Sequence, residues 1–294
     1  MSNLFAALPQ LGYALTPVYS ETHPELGEIG FESISIPSGV VLYDVLTLAS
    51  GIFWTITYIL LIYRGFKDKT CGMPLFVLGL NFSWEFIFGV LGPPFFSADS
   101  YIGVSIAHTW SQRFDDILWF IFDCVLLYLK FKYGKDEYHA QYPHAPLKFF
   151  PYYVALQVVV SFAAVFFAVY EWHDPNGIYS AYMQNFFISL LFITQLWRHG
   201  NTRGVNMGIA ICKMLGTIAP STLGGIAMIA YWGVPLKDAI TNTSWLPFLH
   251  MLILCCTVMD IIYCVMLYWA IKKEGRNPFA LKGREPLTED VAFF

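Results

Sequence analysis

The chain has 294 residues, of which 56% are hydrophobic, 18% aromatic and only 13% charged. Soluble domains carry about 25% charged residues, so this composition excludes an ordinary soluble globular protein and indicates an integral membrane one. The net charge of -4 offers no basic surface for nucleic acid.

Residues 1–39 contain no lysine or arginine, and Pro9 and Gly12 interrupt a short apolar start, so the segment does not read as a signal peptide. Seven apolar runs follow, over 41–63, 73–94, 114–133, 149–171, 178–197, 206–232 and 246–271, each near the roughly 20 residues that a bilayer-crossing helix needs. The expected fold is therefore all-α: an integral membrane bundle of seven transmembrane helices over 40–272, after an N-terminal segment 1–39 and before a tail 273–294. The sixth run holds Pro220, Gly224 and Gly225, where a kink is expected. The segment 134–148 (GKDEYHAQYPHAPLK) reads as a long loop.

Basic residues set the orientation. Arg64, Lys67 and Lys69 follow the first run; Lys130, Lys132, Lys135 and Lys148 the third; Arg198 and Arg203 the fifth; Lys272, Lys273, Arg276, Lys282 and Arg284 the seventh. With 14 of 17 lysines and arginines on one side, the N-terminus is expected in the lumen and the C-terminus in the cytosol. The sequon Asn242-Thr243-Ser244 then falls on a lumenal loop, making Asn242 a candidate glycosylation site. The sequon at Asn81 lies inside the second run and should stay unmodified.

Three acids interrupt the apolar runs. Glu85 lies in LNFSWEFIFGVLGPP, about 12 residues or roughly 18 Å of helix rise into the second run. Asp123 lies mid-way in the third run and Asp260 in the seventh, within CCTVMDIIYCV. Acids at such depth are costly in hydrocarbon and mark a functional interior, against the plainer reading of a polar contact between helices. Helical spacing groups Asn81, Trp84, Glu85 and Phe88 on the second run, Asp116, Trp119 and Asp123 on the third, and Cys256, Asp260, Tyr263 and Cys264 on the seventh. A carboxyl removed from water beside another carboxyl keeps its proton and serves as a general acid. Ring faces stabilise a carbocation that water would quench. Together they suit the protonation of an alkene or epoxide and the cyclisation of a polyene.

Other chemistries find no support. Asp115-Asp116 is followed by Trp119 where a DDxxD magnesium motif needs a third aspartate. The seven histidines form no metal-binding pattern, and the six cysteines sit mostly in apolar runs without ligand or disulfide spacing, so no metal or cofactor is expected. A seven-helix receptor or small transporter, using the acids for ligand or proton binding, is the rival class. The receptor motifs are missing, however: no Asp-Arg-Tyr follows the third run and Asn277-Pro278-Phe279-Ala280-Leu281 has no tyrosine.

Three segments carry a family resemblance: Asn81-Phe82-Ser83-Trp84-Glu85, then Thr202-Arg203-Gly204 with Gly216-Thr217, and Asp260 in the last run. In these the chain resembles the fungal membrane-bound terpene cyclases of the pyripyropene meroterpenoid type, which include indole-diterpene cyclases. The resemblance implies cofactor-free cyclisation of a lipophilic, epoxidised prenyl-aromatic or polyketide substrate, with Glu85 and Asp260 as the key acids. It also implies an endoplasmic reticulum membrane. Either acid could deliver the proton; Asp123 would orient a partner or accept the final proton. Asn81, Trp84, Phe88, Trp119 and Tyr263 would line the pocket. The stretch Arg198 to Gly204 reads either as a topology signal or as a grip on the substrate's polar head.

Overall fold

The computed structural model describes residues 41–91, 110–172 apart from 142 and 145, 174, 177–219 and 247–280. These residues form seven α-helices and no strand: α1 (Val41–Asp68), α2 (Leu75–Glu85), α3 (Trp110–Gln141), α4 (Phe150–Glu171), α5 (Ile178–His199), α6 (Met207–Ile218) and α7 (Pro247–Lys273). A π-helical turn, Phe86–Leu91, extends α2, and a 3-10 turn, Leu147–Phe149, leads into α4. Each helix overlaps one apolar run. The N-terminal segment, the candidate kink at Pro220, the sequon at Asn242 and the end of the tail lie outside the described residues.

One expectation is corrected. Residues 134–141 are not loop but the last two turns of α3. Apolarity marks where a helix contacts lipid, not where it stops. Lys135, Glu137 and Ala140 are good helix formers and continue the ladder beyond the apolar run.

Helix α2 occupies the centre, in contact with α3, α4 and α5. A helix that is apolar all round belongs in an interior, and Val77, Leu78, Leu80, Ile87 and Phe88 are buried on its several faces. Around it, α1 packs on α3 and α6, α6 on α7, and α7 on α5. The outer faces stay apolar: Leu48, Ile52 and Ile59 on α1, Leu156, Val159 and Phe167 on α4, and Leu254, Ile261 and Val265 on α7 are all exposed. Apolar faces of this extent need a non-aqueous neighbour. Leu48–Asp68, Leu147–Glu171 and Met251–Lys273 are long and apolar enough to cross a membrane; Leu75–Leu91 and Met207–Ile218 are shorter apolar segments.

One end of the bundle is tied by a polar latch. Arg64, fully buried, pairs with Asp68 at 2.7 Å. The Asp68 carboxylate accepts the Gly204 N–H at 2.8 Å, and its carbonyl accepts from Arg203 at 2.7 Å. Thr202 donates its N–H and hydroxyl to Glu274 at 2.9 and 2.6 Å, and Arg276 closes on Glu274 at 2.7 Å. Gly204 has φ +78, and a Cβ there would lie 2.9 Å from the Gly72 Cα. Only glycine fits that left-handed turn and close approach. The Thr-Arg-Gly segment thus joins the ends of α1 and α7 to the α5–α6 turn.

Candidate active site

Glu85 is the last residue of α2 before its hydrogen bonding shifts to the π register at Phe86. Such turns widen a helix locally and are frequent at functional sites. Here the chain runs close to α3: a Cβ on Gly89 would lie 2.9 Å from the Ile117 backbone nitrogen, and Arg113 donates to the Gly89 carbonyl at 3.0 Å.

Glu85 is 3% exposed, and its Oε2 has no hydrogen-bond partner among the described residues. Its ionisable neighbours are acids: Asp116 and Asp123, with Asp115 beyond. Asp116 and Asp123 are fully buried. Asp123 accepts from Asn81 Nδ2 at 3.0 Å and bonds the Tyr58 hydroxyl, which Asn81 also contacts. Its Oδ1 has no hydrogen-bond partner among the described residues. Trp119 stacks on Tyr58 with centroids 6.3 Å apart and donates its indole N–H to Thr55 at 3.0 Å. Three helices therefore converge: α2 brings Glu85 and Asn81, α3 brings Asp116, Trp119 and Asp123, and α1 brings Tyr58. As a carboxylate, Glu85 would be a buried charge beside other acids, at large cost. As a neutral acid it holds one O–H, free to be given away.

Trp84 and Phe88 stand with α4 and the start of α5. Their rings lie 4.5 Å apart, and Val165 and Val169 complete the cluster. Trp84 donates to the Ser180 hydroxyl at 2.9 Å, and Ser180 donates in turn to Asp174 at 2.8 Å. Gly177, at φ +66, makes room for both rings: a Cβ there would come within 2.7 Å of each.

Asp260 keeps different company. Its Oδ1 forms a 2.5 Å ion pair with Lys213 of α6, and Lys213 donates to Ser189 of α5 at 2.8 Å. All three are buried, and Asp260 Oδ2 has no hydrogen-bond partner among the described residues. Tyr263, one turn on, is buried edge-on against Phe192, centroids 5.4 Å apart. The carboxyls expected as a pair thus belong to two groups, an all-acid one on α1–α3 and an ion-paired one on α5–α7. Tyr58, Lys213 and Ser189 are not among the site residues expected from the sequence. The one signal was Lys213 itself, a lysine inside an apolar run.

No group of three or more histidine, cysteine, aspartate or glutamate residues suited to a metal ion occurs among the described residues.

The model of the Pyr4-like transmembrane terpene cyclases matches residues 37–274. The chain belongs to this family. It is 28% identical over 238 residues to the Pyr4-family terpene cyclase mfmH of Annulohypoxylon moriforme, covering 80% of this chain and 88% of that one. It is 28% identical to the terpene cyclase andB of Emericella variicolor, covering 79% and 89%. It is 27% identical to the terpene cyclase pyr4 of Aspergillus fumigatus, covering 78% and 87%. No solved structure matches the chain. As a Pyr4-like terpene cyclase it is a membrane enzyme acting on a lipophilic prenyl-type substrate, and the receptor and transporter readings lose their footing. The family match spans both carboxyl groups and all of the latch except Arg276.

Proposed function

We propose that this enzyme cyclises an epoxidised prenyl-aromatic or polyketide-derived substrate in meroterpenoid biosynthesis, with Glu85 as the acid that starts the reaction. One observation carries the reading: a buried Glu85 carboxyl oxygen without a hydrogen-bond partner among the described residues, with other acids as its neighbours. The Glu85 O–H transfers its proton to the epoxide oxygen as the carbon–oxygen bond breaks. Alkene π electrons then close the rings, and the last cation loses a proton. One proton enters and one leaves, so the product is an isomer of the substrate and no redox equivalent is consumed.

Asp123, held by Asn81 and Tyr58, shares or recovers the Glu85 proton. Asp260, anchored by Lys213, presents Oδ2 to the cation or the departing proton. Trp119, Tyr263, Trp84 and Phe88 supply the shielding faces. The seven apolar runs cross the endoplasmic reticulum membrane as a domain over 40–272, with residues 1–39 and glycosylated Asn242 in the lumen and the tail 273–294 in the cytosol. Substrate enters sideways from lipid.

Membranes carrying the wild type, given epoxidised farnesyl- and geranylgeranyl-phenols, should yield a cyclic product of unchanged mass. Its structure is read by NMR. Hydrolysis of the epoxide to a diol, with a gain of water and no ring, would refute the reading.

A further inference from the structure

The latched end of the bundle holds a cavity of about 140 Å³ between the start of α2, the end of α3 and the end of α5. Its walls are of two kinds. The apolar ones include Leu75, Phe150 and Leu191; the polar ones include Lys130, Gln195 and His199, with Glu137 and Arg198 also in the lining. An apolar cavity of about 150 Å³ takes a benzene ring, so the space suits one six-membered ring.

Two polar groups here are under-used. Gln195 donates Nε2 to the Gly72 carbonyl at 3.2 Å, which fixes the amide orientation; its Oε1 is then a buried acceptor without a donor among the described residues. Lys130 is 7% exposed, yet among the described residues its ammonium contacts are long, 3.4 Å to the Cys71 carbonyl and 3.7 Å to Glu137. Burial and the neighbouring cations Lys130, Arg198 and Arg203 push His199, just past the apolar run, down to about 4. It is therefore neutral near pH 7 and offers one donor and one acceptor.

We propose that this cavity is the subsite for the substrate's polar ring: a hydroxylated aromatic ring whose O–H donates to Gln195 Oε1 and whose anionic or carbonyl oxygen accepts from Lys130 Nζ. The inference rests on the prenyl-aromatic reading above. The spacing fits that reading: Leu75 at the cavity and Glu85 are separated by about 15 Å of helix rise, the reach of a sesquiterpene-length chain. The substrate then lies as a lipid does, its polar ring at the helix ends and its reactive terminus at mid-depth.

The test uses full-length protein in nanodiscs of phosphatidylcholine, with 2,4-dihydroxybenzoate as the unprenylated probe and calorimetry as the readout. Wild type and Glu85→Gln should bind the probe alike. Gln195→Leu and Lys130→Met should bind it at least about tenfold more weakly. Leu191→Trp, which fills the cavity without touching a polar group, should abolish binding while thermal unfolding shows it folded. Equal binding in a folded Leu191→Trp or Gln195→Leu protein overturns the subsite, as does displacement of the probe by inorganic phosphate alone. Absence of cyclisation alongside this binding pattern would defeat the cyclase chemistry and leave the subsite standing. Turnover with an unchanged KM in Gln195→Leu would do the reverse.

Discussion

At the residue scale, the acids divide by the company they keep. Lys213 gives Asp260 a cation in an interior where removing one partner of a buried pair costs about 3–5 kcal/mol. Lys213→Met should therefore lower the thermal stability of the purified protein steeply. The double variant Lys213→Met/Asp260→Asn should regain much of it by leaving no unpaired charge, while turnover stays lost. Recovery of turnover with stability would make the pair purely structural. Tyr58 is the corresponding support for Asp123. Tyr58→Phe should cost about 1–3 kcal/mol and reduce kcat more than it raises KM, as expected for a residue that positions another. His199 carries a pH dependence of known sign. Its folded value of about 4 lies below the ordinary value near 6.5, so the unfolded chain takes up the proton first. Stability should be full above about 6.5 and fall as the pH drops toward 4. Thermal unfolding across that range should show this slope reduced in His199→Gln; an identical slope would contradict the assignment.

At the element scale, the latch and the π turn matter most. Glu274 has a side chain 1% exposed and receives Thr202 and Arg276. Glu274→Ala strips a buried backbone N–H of its acceptor, and a loss of about 2–4 kcal/mol is expected. Gly204→Ala adds left-handed strain and a clash with Gly72, costing about 2 kcal/mol or more. Both should be visible as lowered melting temperatures in detergent, with KM for substrate little changed in the protein that remains folded. A rise in KM without loss of stability would return the Thr-Arg-Gly segment to the substrate-gripping role considered from sequence. That segment was legible as a motif but not as a latch, because its partners Asp68 and Glu274 are more than 70 residues away on either side. The π turn after Glu85 was not legible either. Gly89 in FIFGVL lies tightly against the α3 backbone, a contact between helices that the hexapeptide alone does not reveal.

For the whole molecule, hydropathy made the helices readable, since a polar residue in an apolar run has to be accounted for by its neighbours. Glu85, Asp123 and Asp260 stood out for that reason, and all three are buried. Helical spacing also joined Asn81 to Glu85. What spacing within one helix does not reveal is which helices face each other. Trp84 and Phe88 pack with α4, while Tyr58 comes from α1 to meet Asp123. Lys213 likewise turns Asp260 into one half of an ion pair.

In the reaction proposed above, the Glu85 proton starts cyclisation. The most direct measurement compares single-turnover rates of wild type and Glu85→Gln on the epoxidised substrate, with thermal unfolding confirming equal folding. Glutamine keeps the shape and loses the acid, so the rate should fall about 10²–10⁴-fold. A folded Glu85→Gln protein that cyclises at the wild-type rate would contradict the account.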